Sequence, residues 1–238
     1  MQDVTSAELA PLDLSHPLWT RLYGPYGIRD VAGQLGHLAA RWDGRAAQHL
    51  FWEELHHQED LYPVSYAALP WLDRIAPDHG AEREPVLEFW AQALFCARRQ
   101  LGEGEPFAGL SLRAADHAHP WIAEDRRLGE GDMVLLAAQA RWLAAEGDRL
   151  AGLCLAAVPA GLPLLAAHLA GGYAGWHGAR DLPHAMRMWA EEEAEEVIRA
   201  EGAPRPADLE IAGRMAARLA EQAPELAAFL EDYVAAGR

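Results

Sequence analysis

The stretch Pro85-Val-Leu-Glu-Phe-Trp-Ala-Gln-Ala-Leu-Phe-Cys-Ala97 decides the fold class. Val86, Phe89, Trp90, Ala93, Leu94 and Ala97 recur at steps of three and four, the apolar stripe of an α-helix that buries one face. A proline at the start costs nothing there, because the first N–H of a helix has no intrahelical partner, and Gly102 marks the end. The same reading extends in both directions. Upstream, Asp30 is an N-cap for a stripe of Val31, Leu35, Leu38 and Trp42 that closes at Gly44. Downstream, Asp132 opens a helix through Met133, Leu136, Ala140 and Leu143 that Gly147 stops, and Asp148 caps the next, with Leu150, Leu153, Cys154, Ala157 and Val158. A helix from about 182 to 200 carries Glu191, Glu192, Glu193, Glu195 and Glu196 spaced for surface pairs with Arg187 and Arg199. Ile211, Met215 and Leu219 mark a further helix, and Leu226, Phe229, Leu230, Tyr233 and Val234 follow Pro224 in the last. Runs of alternating β-branched residues are missing, so the expectation is an all-α fold without β-sheet, one domain over 1–238 built of stacked antiparallel helix pairs or an irregular helical bundle.

Composition narrows the chemistry. The 238 residues, 51% hydrophobic, suffice for a substantial core. All 20 basic residues are Arg, which excludes Schiff-base and P-loop lysine mechanisms. A net charge of -16 opposes nucleic acid and anionic membrane surfaces as partners. Cys96 and Cys154 lie far apart in apolar helical patterns, which suggests neither a disulfide framework nor a thiolate metal site, and fits a reducing cytoplasm. Met1 to Leu14 has acidic residues and no basic one, unlike a signal peptide. Arg149 to Arg180 encloses no charge, yet Pro159, Gly161 and Pro163 interrupt it, so it reads as a buried helix pair broken near Val158 to Gly161. Neither a Gly-x-Ser-x-Gly nor a dinucleotide-binding motif occurs, and no catalytic residue or cofactor is expected.

The informative polar passage is His49-Leu-Phe-Trp-Glu-Glu-Leu-His-His-Gln58, continuing to Tyr62 and Tyr66. On a helical wheel Leu50, Phe51 and Leu55 define the core side, and Glu54, His57 and Gln58 fall within its arc, whereas His49, Glu53 and His56 fall opposite. A helix reaching Gln58 therefore turns a carboxylate, an imidazole and an amide inward, where each needs a partner. Three readings follow: a satisfied buried network, a ligand or peptide contact aided by Trp52, Tyr62 and Trp71, and a metal site built on the Glu-x-x-His spacings 53/56 and 54/57. The metal reading lacks a second Glu-x-x-His elsewhere; Asp116-x-x-His119 and Asp181-x-x-His184 are the nearest substitutes.

Trp19-x-x-Leu22-Tyr-Gly-Pro-Tyr26-Gly, followed by Leu55-His-His57-Gln58-x-x-x-Tyr62-x-x-Ser65-Tyr-Ala-Ala-Leu-Pro70, resembles the opening of bacterial HEAT-repeat-like proteins of unassigned function, over about residues 19–76. Within 15–101 the match to that pattern is best. Glu59 stands where that group usually has Gly in a His-Gln-Gly turn. The resemblance implies an α-solenoid offering a surface to a partner, and brings no catalytic residues with it. The resulting expectation is a non-catalytic binding or adaptor module that uses the concave face of a helical stack, with Trp52, Glu54, His57, Gln58, Tyr62 and Tyr66 as contact residues and no metal assigned. The alternative is a helical metal- or small-molecule-binding enzyme centred on Glu54 and His57.

Overall fold

Asp30 opens the first helix as its sequence suggests: its carboxylate accepts from the Gly33 amide at 2.9 Å, and α1 spans Val31–Ala40. In this computed structural model, which describes residues 10–100, 128–191 and 204–237, α1 stops short of Gly44. Gly44 instead begins α2 (Gly44–His49), behind a second cap in which Asp43 accepts from the Ala46 amide at 2.9 Å. Then α3 covers Pro63–Ile75, α4 Arg83–Gln100, α5 Glu130–Ala156, α6 Pro163–Trp176, α7 Leu182–Ala190, α8 Pro206–Leu219 and α9 Pro224–Ala236. Five of these place a proline at the first or second position, where its missing N–H is harmless.

The described residues are mostly helical, but the expectation of no β-sheet is corrected by two antiparallel pairs. Strands β1 (Tyr23–Gly24) and β2 (Gly27–Ile28) form one, and β3 (His56–His57) and β4 (Asp60–Leu61) the other. Each strand is two residues long, too short for alternation to show in sequence. Turn chemistry makes them: Pro25 fixes φ at the first tip, with Gly27 at φ +98°, and Gln58 adopts φ +55° at the second.

The chain divides into two compact units, Met1–Val86 with Gln100–Glu146, and Leu87–Arg99 with Gly147–Arg238. The core of the first is Leu18, Leu22, Leu35, Leu50, Phe51, Leu55, Leu61, Tyr66, Leu69 and Leu72, all buried. Its N-terminal segment is fastened by polar links: Gln139 Oε1 accepts from the Leu12 amide at 3.2 Å, Trp71 Nε1 donates to the Leu12 carbonyl at 2.7 Å, and Arg21 pairs with Asp132 at 2.5 Å.

In the second unit α6 pairs with α7 and α8 with α9, each helix packing on its neighbour in sequence. Close approach depends on small residues, since a Cβ at Gly172 would run into the Ala91 backbone and one at Gly175 into Phe95. The turn at Gly147 expected from sequence does not occur, because α5 continues through it to Ala156. Gly147 serves packing: a Cβ there would overlap the Trp176 indole, whose Nε1 donates to Asp148 Oδ1 at 2.6 Å. Asp148 is thus the acceptor for an indole rather than a helix cap. In the first turn of α8, buried Asp208 accepts from the Arg180 amide, just ahead of α7, and from Arg205 Nε, each at 3.1 Å. The break expected near Val158 to Gly161 falls between α5 and α6, with Gly161 at φ +79°. Among the described residues no helix is long and apolar enough to cross a membrane.

Candidate functional site

The polar passage departs from a regular helix. After α2 the chain tightens no further but widens into a π-helical turn over Leu50–Leu55. The apolar pattern explains this. Leu50 and Leu55 sit about 140° apart on an α-helix, at 100° per residue. They move onto one side when each turn closes from i to i+5, and both are fully buried. The same spacing brings His49 Nε2 to within 3.6 Å of Glu54 Oε1, two groups the α-helical wheel sets on different sides.

The helix ends at Leu55, so the inward trio expected from a helix reaching Gln58 does not form. Glu54 is inward-leaning, with 13% of its side chain exposed. His57 is half-buried in β3, and Gln58 is exposed at the turn. His56, expected outward, is buried at 8% and meets Trp52 edge-on at 5.4 Å. Ser65 locks this end: its hydroxyl donates to the Leu55 carbonyl and accepts from the Tyr62 amide at 2.9 Å, closing the loop that carries the second hairpin. With the histidines on a strand, the Glu-x-x-His spacings no longer share a helical face. Among the described residues no group of three His, Cys, Asp or Glu is placed to hold a metal ion. Asp116 and His119 lie outside the described residues, as do Arg199, Glu192, Glu193, Glu195 and Glu196.

What the fold does bring together is the two hairpins. Gly24 lies so close to the Glu54 carbonyl that a Cβ would collide with it, which seats the first hairpin against the π turn. Tyr26, at the tip, is 52% exposed, and its hydroxyl lies 3.2 Å from His57 Nδ1, with the two rings edge to face at 5.5 Å between centres. His57 pairs with Asp60 across β3 and β4. Half-buried Tyr62 follows, its phenol pushed above the ordinary value first by burial, then by the charges of Asp60 and Tyr26. Tyr26, His57, Asp60 and Tyr62 thus share one face, with Glu53 and Glu59 also exposed on this segment. Of the six residues singled out from sequence, His57 and Tyr62 belong to this face. Trp52 and Glu54 are half-buried on the π turn beneath it, Gln58 is exposed at its rim, and Tyr66 is 1% exposed within the core.

Tyr26 and Asp60 were not among the six. The available signal was the Gly24-Pro-Tyr-Gly27 turn, which puts an aromatic at a tip, where burial does not account for it. No family model matches the chain, and no curated protein or solved structure matches it significantly.

Proposed function

We propose that the protein is a non-catalytic binding or adaptor module that meets its partner through the paired-hairpin face of the first unit. One observation carries this reading: an aromatic side chain, Tyr26, is held exposed at a hairpin tip by a hydrogen-bonding contact to His57 rather than folded into the core. Ordered, exposed aromatic side chains are the residues that dominate binding energy at protein interfaces. The π turn beneath the face supports the same reading, because such turns cluster at functional sites. An enzyme centred on Glu54 and His57 is less well supported, since Glu54 faces His49 while His57 faces Tyr26.

Consecutive helices that pack in pairs support a stack in the manner of HEAT-like α-solenoids. In this reading the module works in the cytoplasm, where the buried free thiols Cys96 and Cys154 stay reduced, and its acidity keeps it from nucleic acid and anionic membranes. The test is affinity capture from cells of origin with wild type and Tyr26→Ala in parallel. The reading expects a partner captured by wild type and lost from the variant, with unchanged thermal unfolding. Equal recovery of every captured protein by both would refute it.

A further inference from the structure

We propose that the face formed by Tyr26, His57, Asp60 and Tyr62 binds a cationic side chain, arginine or lysine, presented by a basic segment of a partner protein; this rests on the hairpins being the contact surface. The face combines aromatic rings with a carboxylate. A guanidinium or ammonium within about 6 Å of a phenol ring is attracted by the ring's quadrupole. Asp60, exposed on the strand partnered with His57, adds a full negative charge beside those rings. The hydroxyl contact between Tyr26 and His57 fixes the outer ring before binding, so little side-chain freedom is lost when a ligand arrives.

Charge selects among occupants. Glu53 and Glu59 are exposed on the same segment, and the chain carries -16 overall, so anionic ligands are repelled and basic segments are steered inward. A bare divalent metal fits poorly, because such ions take several oxygen or nitrogen ligands and no group of three candidate ligands assembles among the described residues. An organic cation needs only the rings and the carboxylate.

The experiment uses the full chain and a blocked pentapeptide, Gly-Arg-Gly-Arg-Gly, beside its citrulline counterpart, which keeps the shape and loses the charge. Binding is followed by NMR shifts of the aromatic resonances. The proposal expects saturable shifts at Tyr26, His57 and Tyr62 with the arginine peptide and none with citrulline. Tyr26→Ala and Asp60→Asn should each weaken binding by about two- to fivefold, the range of an exposed cation–π contact for the first and of an exposed ion pair for the second. Tyr26→Phe keeps the ring but loses the hydroxyl contact that fixes it, and should bind more weakly than the unaltered chain and more tightly than Tyr26→Ala. Asp232→Asn, an exposed carboxylate of the other unit, should leave it unchanged. Equal binding of citrulline, an absence of saturable shifts, or an equal loss from Asp232→Asn, which marks diffuse attraction only, would each overturn the cation. If Tyr26→Ala loses its captured partner while the arginine peptide never binds, the contact face stands and the cation falls.

Discussion

Replacing Gly147 by alanine separates helix propensity from packing by the sign of its effect. Gly147 lies inside α5, where the exchange should stabilise a helix by about 1 kcal/mol on propensity alone. The Trp176 indole, however, occupies the space of the new methyl group. Displacing it costs about 1–3 kcal/mol for overpacking. Moving Trp176 also stretches the 2.6 Å bond from its Nε1 to Asp148, a hydrogen bond to a charged group worth about 1.5–3 kcal/mol. After the propensity gain is subtracted, Gly147→Ala should destabilise by about 1.5–5 kcal/mol. Urea unfolding followed by circular dichroism measures it, with the slope checked to be unchanged. In a Trp176→Ala background the obstacle is gone, and the same substitution should become stabilising by about 1 kcal/mol. A stabilised Gly147→Ala in the otherwise unaltered chain would refute the packing argument.

Asp208→Ala removes the buried carboxylate that accepts from the Arg180 amide and from Arg205 Nε, although Arg205 keeps Asp181 at 3.5 Å, so it should cost about 2–4 kcal/mol in chemical denaturation. His177, at the surface just past α6 with its ring tilted against Tyr173 at 4.4 Å between centres, has its imidazole held below the ordinary 6.5, chiefly by partial desolvation from its neighbours, with Asp148 opposing and Arg214 and Arg98 assisting. The folded state therefore binds that proton less readily than the unfolded chain does. Stability is full above about 6.5 and falls as pH drops through that value toward the lower folded one, a decline that thermal unfolding should show flattened in His177→Gln. Gln58→Gly relieves a left-handed backbone at an exposed turn, and should raise stability by about 1 kcal/mol by the same urea assay, the opposite of glycine's usual effect.

The parts of the fold visible in sequence are those set by near neighbours. Asp30 reaches an amide three residues on, and the stripe of Leu226, Phe229, Leu230 and Tyr233 needs only helical spacing, so caps and faces could be read directly. Gly147 shows the limit: its reason for being glycine is Trp176, on another helix, and a local rule turns it into a terminator. The candidate site failed at a finer scale. A wheel of 100° per residue cannot represent the π turn at Leu50–Leu55, where His49 meets Glu54 five residues on. Nor could it show that the helix ends at Leu55, which puts His56 inside and Gln58 outside. The hairpins were not foreseen: Pro25 and Gly27 carry a turn signal, but two-residue strands carry no periodicity.

The most direct test of the contact face is a photo-crosslinking amino acid placed at position 26 in the living cell, with the same probe at position 232 as reference. The account predicts a discrete adduct from position 26 that is absent from position 232. Adducts of the same identity and yield from both positions, or none from position 26, would contradict it.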